Sequence, residues 1–150
     1  MMFWTGGDPA RKYYGAGRIS HPAEWNETIT YLENQGVKVS FSGKDMAYGV
    51  SAVRGQPGNL RIDADASISA LRHEKFHFEH DKRLGFPGAR YFFESYEKRW
   101  YSEFWAYIVE LKFAREQKNA ALAREILDEM RSARKILREF YVFSENKSRR

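Results

Sequence analysis

Three of the four histidines in this chain lie within the stretch RHEKFHFEHD, from Arg72 to Asp81. His73 and His77 are four residues apart, and Glu74 directly follows the first of them. In an α-helix such residues lie one turn above each other on the same face, so both imidazole rings can reach one metal ion. HEKFH therefore has the HExxH pattern, in which two histidines bind zinc and the glutamate acts on a water molecule as general base. The alternative interpretation is a solvated polar helix face.

A catalytic zinc ion keeps three protein ligands and one open position, so a third ligand is expected outside this stretch. His80 is seven residues after His73, about 10 Å along a helix axis, which is too far for all three histidines to share one ion. We expect His80 behind the ligands or beside the substrate. Asp81, four residues after His77, is a second candidate for supporting the ligands, with an ordinary helix pair or cap as the alternative.

The carboxylates after the turn GFPG are the remaining candidates for the third ligand. Glu103 is the strongest, because Ala106 and Tyr107 share its helix face and a small residue there lets two helices approach closely. Tyr107 is a further candidate on the substrate side. Glu110, seven residues after Glu103, lies on the same face and can accept a hydrogen bond from a ligand histidine. The alternatives for the third ligand are Glu94, Glu97 and Glu110.

The order of predicted elements indicates an α+β fold in one domain over residues 1–150. A helix is expected over 20–36, because Pro22 suits the first turn and Gly36 suits the end. Turn signals then separate short β-branched segments, which predict a small, mostly antiparallel sheet. Beyond the sheet, the helix that carries HExxH precedes GFPG and two further helices, over about 96–117 and 120–140. The ends are expected to be an arm or loop over 1–18 and a frayed basic tail over 144–150.

Composition and charge restrict the class of function. The absence of cysteine excludes disulfides and thiolate zinc ligands, which leaves histidine and carboxylate. The net charge is +5, but most basic residues alternate with acidic ones, so nucleic acid is not the expected partner. The chain has no signal segment of its own and no apolar run long enough to span a membrane, so we expect a soluble protein.

The segments SALRHEKFHFEHD, GFPG and EFWAYIVELKFA resemble the zincin-like metallopeptidases, and among them the toxin domains at the C-terminal ends of bacterial polymorphic toxins. The opening FWTGG is similar to the entry segment of several such domains. The resemblance implies a minimal zincin-like fold, Zn²⁺ on His73, His77 and Glu103, and Glu74 as general base. It also implies hydrolysis of a protein or peptide substrate.

The resemblance further implies delivery into a target cell as part of a larger secreted protein, with an immunity protein as partner. A net charge of +5 suits an acidic immunity protein. Two other functions remain open, a nucleic-acid-directed toxin or binding module and a non-catalytic zincin-fold interaction domain. The candidates for the donor that stabilises the oxyanion are His80, Tyr96 and Tyr101.

Overall fold

The computed structural model describes residues 7–41, 43 and 45–148. Seven helices and three strands are present in these ranges. In chain order they are α1 (Arg11–Tyr14), α2 (Gly17–Ser20), α3 (Pro22–Asn34), β1 (Lys38–Phe41), β2 (Ala47–Gly49), β3 (Asn59–Ile62), α4 (Ile68–Arg83), α5 (Ala89–Phe93), α6 (Tyr96–Glu116) and α7 (Ala120–Ser148). The predicted α+β class is confirmed, with the sheet in the first half and the long helices in the second.

The sheet has the order β1-β3-β2, and its pairing differs from the expected one. β3 pairs antiparallel with β2 but parallel with β1, so the sheet is mixed rather than mostly antiparallel. The sequence predicted mostly antiparallel pairing, and among these three strands only the β2–β3 pair has it. The central strand β3 lies between β1 and β2, which form the two edges of the sheet.

Gly58 explains why β2 and β3 can approach each other so closely at the start of β3. A Cβ atom at this position would lie 2.0 Å from the carbonyl oxygen of Gly49. Only glycine can occupy this position without moving the backbone.

The helix α4 begins at a well-defined cap and packs into the core. The Ser67 hydroxyl accepts a hydrogen bond from the Ala70 amide, as an N-cap residue does, and donates to Asp8 Oδ1 at 2.6 Å. Phe78 on this helix is fully buried, and its ring lies edge-on against Tyr48 of β2 at 5.9 Å between centroids. These contacts fix the position of α4 relative to the edge strand β2.

The helices after the turn differ from prediction at two points. A short helix, α5, follows Gly88, where the sequence indicated only a turn before the next helix. The last helix continues to Ser148, so the expected frayed tail is helical over 144–148. Its apolar residues stop at Phe143, which explains the shorter prediction, but intrahelical hydrogen bonds need no buried face. Residues 149–150 lie outside the described ranges.

The expected arm or loop over 1–18 is partly helical. α1 and the start of α2 fall within it, and Gly17 of α2 packs so closely that a Cβ there would lie 2.7 Å from the Ile68 amide nitrogen. Glycine is needed for this crossing over the start of α4. The FWTGG resemblance falls mainly on residues outside the described ranges.

Candidate metal centre

His73, Glu74 and His77 lie on the buried face of α4. These three residues are 4%, 3% and 1% exposed, respectively. A solvated helix face would leave these groups in water, so that interpretation is wrong. Three ionisable groups without solvent need partners from neighbouring elements.

α6 brings Glu103 across this face of α4. Glu103 is fully buried, and Ala106, one turn further on, has no exposed surface either. The small side chain at Ala106 is consistent with the close helix approach that the sequence suggested. The structure thus places His73, His77 and Glu103 together, and we call these three residues the metal cluster.

The spacing of the ligand atoms suits a tetrahedral ion. His77 Nε2 lies 3.3 Å from His73 Nε2 and 3.3 Å from Glu103 Oε1, and His73 Nε2 lies 3.8 Å from Glu103 Oε2. Zinc–nitrogen bonds of about 2.05 Å at tetrahedral angles separate two ligand atoms by about 3.3 Å. The three residues can therefore hold a metal ion, and their spacing is compatible with zinc.

The outer nitrogens of both histidines are held by groups on α6. His73 Nδ1 lies 2.8 Å from Glu110 Oε2, and His77 Nδ1 lies 3.0 Å from the Ser102 hydroxyl. Glu110 was predicted to orient a ligand histidine, whereas the sequence gave no indication of Ser102. A carboxylate can only accept, so His73 donates from Nδ1 and its Nε2 faces the cluster.

The electrostatics of the cluster favour a cation. Burial lowers the pKa of His73, but Glu110, with further contributions from Glu74 and Glu103, outweighs it and raises that pKa to about 10. Both oxygens of Glu103 are buried without a hydrogen-bond donor among the described residues. Buried carboxylate oxygens without donors are costly unless a positive charge lies beside them, and a metal ion supplies that charge.

Glu74 is placed beside the cluster and is held by the sheet. Its Oε2 accepts a hydrogen bond from the Tyr48 backbone N–H on β2 at 2.6 Å. Burial raises the pKa of Glu74, and the two histidines oppose this effect. A raised pKa makes a carboxylate a stronger proton acceptor, as a general base requires.

Asp81 does not contact the metal cluster but joins α4 to the sheet. Its Oδ2 accepts a hydrogen bond from the Tyr48 hydroxyl at 2.6 Å, and that hydroxyl accepts one from the Gly58 amide at 2.7 Å. Burial raises the pKa of Asp81 to about 6, against the effect of the Tyr48 hydroxyl. We call Tyr48, Gly58 and Asp81 the tyrosine cluster.

The other predicted site residues are distributed around the metal cluster. Tyr107 is buried with its ring edge-on to His73, at 5.1 Å between centroids. His80 Nδ1 lies 3.2 Å from the Ser102 hydroxyl, so His80 stands behind His77 as expected. Glu94 and Glu97 are exposed, and Glu94 pairs with Lys98. Tyr101 lies beside His80, at 5.5 Å between ring centroids, whereas Tyr96 lies against Tyr141 at 6.3 Å.

The space beside the cluster is small. A cavity of about 10 Å³ is lined by Gly7, Met46, Ala70, His73, Glu74, Tyr107 and Glu110. This volume suffices for about one water molecule. The space next to the proposed base is therefore about the size of one water molecule.

The comparisons with known proteins give no match: no family model, no curated protein and no solved structure is similar to this chain at a significant level. Membership of the zincin-like metallopeptidases therefore stays a prediction that depends on the motif and the geometry.

Within the described residues, none of the helices is both long enough and apolar enough to cross a membrane.

Proposed function

We propose that this chain is a zinc-dependent metallopeptidase that hydrolyses a peptide bond in a protein substrate. The observation that carries the proposal is the convergence of His73, His77 and Glu103, with Glu74 one residue from the first ligand. Among the described residues this group contains three ligands rather than four. A three-ligand set is typical of catalytic zinc, whereas structural zinc sites have four protein ligands.

The proposed roles follow from the side chains. His73, His77 and Glu103 would hold the ion, which when bound polarises a carbonyl group and lowers the pKa of a water molecule. Glu74 would take a proton from the attacking water and return it to the leaving nitrogen. Glu110 and Ser102 would keep the two imidazoles in the orientation and tautomer that binding needs.

The small size of the space beside Glu74 favours a second candidate, a non-catalytic zinc domain. Among the described residues this space of about 10 Å³ is too small for a peptide, and a metallopeptidase needs a larger opening there to bind its substrate. A structural zinc domain needs no such opening. The two candidates differ in what they require of Glu74, which is not a ligand in either.

Replacing Glu74 with Gln distinguishes the two candidates. For a metallopeptidase we expect the variant to keep one zinc ion per chain and to lose about 10²- to 10⁴-fold in peptide hydrolysis, measured with a library of unstructured peptides. Glu97→Gln, an exposed change on α6, is the matched control. Zinc binding without hydrolysis by the unaltered protein across the whole library would favour the structural candidate.

We also propose that the domain acts as a toxin effector delivered by a larger protein and neutralised by an acidic immunity protein. The support is the resemblance of its motifs and the net charge of +5. Expression inside a bacterial host should arrest growth for the unaltered chain and not for Glu74→Gln at equal protein level. Equal growth of the two strains would contradict the toxin proposal without affecting the zinc site.

A further inference from the structure

The face of the sheet that turns away from the core carries a cavity outside the metal centre. Tyr48, Leu60 and Ile62 of β2 and β3 are buried in the core on the other face. Because successive side chains of a strand point to opposite faces, the residues between them face outward. We call this space of about 350 Å³ the outer cavity. Its lining consists of two apolar residues together with Lys38, Ser40, Ala47, Gly49, Asn59 and Arg61.

The two cations of the outer cavity have neutral neighbours across the strands. Lys38 on β1 is paired with Asn59 on β3, and Arg61 on β3 is paired with Ser40 on β1. Opposite charges in such cross-strand positions stabilise a sheet, and neither cation has a carboxylate as its partner in the register. All four residues are exposed, and neither cation forms an ion pair with the described residues. Both cations are therefore available to a ligand.

The strand β2 leaves room for that ligand. Ala47 and Gly49 lie in the same two rows across the sheet, opposite Arg61 and Asn59. Neither has a side chain beyond Cβ, whereas β1 and β3 carry the longer polar side chains of the outer cavity. The open space therefore lies directly beside the cations.

The four polar side chains, those of Lys38, Ser40, Asn59 and Arg61, form a small rectangle. Neighbouring strands are about 4.8 Å apart, and every second residue along a strand is about 6.6 Å further on. All four side chains can donate hydrogen bonds. A phosphate group has three strong acceptor oxygens, so donors at the corners of such a rectangle can reach it from several sides. A carboxylate has only two oxygens and uses fewer of these donors.

No carboxylate lines the outer cavity. The nearest acids along β2 and β3 are Asp45 and Asp63, each two residues beyond the pair of Ala47 and Arg61. Asp63 Oδ2 lies 3.1 Å from Arg11 Nη1, so this charge is already paired. Asp45 is exposed and lies outside the lining. The local charge of the outer cavity is therefore positive and favours an anion.

We propose that the outer cavity binds a small phosphate monoester, with Lys38 and Arg61 as the opposite charges and Ser40 and Asn59 as further hydrogen-bond donors. The group esterified to the phosphate would occupy the open space above β2. Two cations match a monoester, whose charge is about −1.5 to −2 at pH 7, better than a diester with a single charge. The outer cavity shares no residue with the metal cluster, so the inference does not rest on the proposed function.

The test uses glycerol 3-phosphate as the probe, with glycerol and dimethyl phosphate as its neutral and singly charged counterparts, by NMR titration of the full chain. We expect glycerol 3-phosphate to shift the amide signals of β1 and β3 and to bind at least about tenfold more tightly than either counterpart, since hydrogen bonds between charged groups are the stronger ones. Arg61→Gln and Lys38→Gln, both exposed changes, should each weaken it by about tenfold. Lys112→Gln, an exposed change on α6, is the matched control. Equal binding of the three probes, or unchanged binding in Arg61→Gln, would overturn the proposal.

Two further arms separate the outer cavity from other sources of phosphate binding. The affinity should be the same in the zinc-loaded and the chelator-treated chain, because the two sites share no residue. Shifts of the His73 and His77 ring signals in place of the strand signals would place the phosphate at the metal cluster and overturn the proposal. A single-stranded thymidine oligonucleotide that binds as tightly at equal phosphate concentration would overturn the preference for a monoester. A chain that binds the probe but no zinc would contradict only the proposed function.

Discussion

The buried face of α4 contributes to two polar clusters that differ in how their hydrogen bonds are completed. In the tyrosine cluster, the Gly58 amide donates a hydrogen bond to the Tyr48 hydroxyl, which donates one to Asp81 Oδ2. The other carboxyl oxygen, Asp81 Oδ1, has no hydrogen-bond partner among the described residues. In the metal cluster, two ring nitrogens converge on Glu103, whose oxygens both lack donors. Buried polar groups in proteins are usually paired. The hydrogen bonds of the tyrosine cluster stabilise the fold, whereas a bound cation would satisfy the oxygens of Glu103 in the metal cluster.

The same comparison separates Glu103 from Glu110. Both are buried acids on one face of α6, seven residues apart. Glu110 accepts a hydrogen bond from His73 Nδ1, whereas Glu103 accepts none and lies 3.3 Å and 3.8 Å from the Nε2 atoms of His77 and His73. One helix face thus supplies both an orienting group and a proposed ligand, and only their partners distinguish the two roles.

Zinc binding to the metal cluster should produce the largest change in the free energy of unfolding. At free zinc about 1,000 times the dissociation constant, binding should raise the free energy of unfolding by about 4 kcal/mol. Glu103→Gln removes the anionic ligand, so we expect it to abolish most of that gain, as measured by chemical denaturation with and without zinc. Glu97→Gln is the control and should keep it. An equal zinc-dependent gain in Glu103→Gln would mean that the metal, if bound, lies elsewhere.

The tyrosine cluster should respond to pH instead. The folded pKa of Asp81, about 6, lies above the ordinary value of 3.8, so its stabilising contribution is complete below about pH 4 and is lost as the pH rises through 6. Relative to Asp81→Asn, the unaltered protein should lose up to roughly 3 kcal/mol of unfolding free energy between pH 4 and 7. The exposed change Glu139→Gln is the control. Parallel pH profiles for Asp81→Asn and the unaltered protein would show that Asp81 titrates normally.

Glu110→Gln should have a smaller effect, and one confined to metal affinity. The amide can still meet His73 Nδ1 but cannot supply the charge that strengthens this histidine as a ligand, so the zinc dissociation constant should rise about 10- to 100-fold. Competition with a chromophoric chelator measures this change. Glu116→Gln, an exposed change on the same helix, should leave the constant unaltered. Unchanged affinity in Glu110→Gln would reduce its role to packing.

Much of the candidate site could be predicted because helical spacing is local. His73 and His77 needed only the four-residue period of α4, and Glu110 needed only its seven-residue distance from Glu103 on α6. The choice of Glu103 over the other carboxylates needed the further expectation that α6 crosses α4 at the small residue Ala106. Ser102 and Tyr48 could not be found this way. Ser102 acts through the register between two helices, and Tyr48 contacts Glu74 with a backbone N–H, which every residue except proline has.

The fold was predictable to a similar depth. Helix boundaries followed residues that lie in the sequence itself, as Pro22 at the start of α3 and Gly36 just after its end illustrate. The parallel pairing of β1 with β3 was not predictable in this way, because strand order depends on contacts between distant segments. The full extent of α7 was missed for another reason, since its last turns carry no apolar stripe to predict it.

The most direct test of the central claim is the metal content of the purified protein, measured by inductively coupled plasma mass spectrometry after equilibration with zinc and removal of the excess. We predict about one zinc ion per chain for the unaltered protein and for His21→Ala, and a nearly empty protein for His77→Ala. A chain that retains no zinc after this treatment, or a His77→Ala variant that retains it fully, would contradict the metal centre.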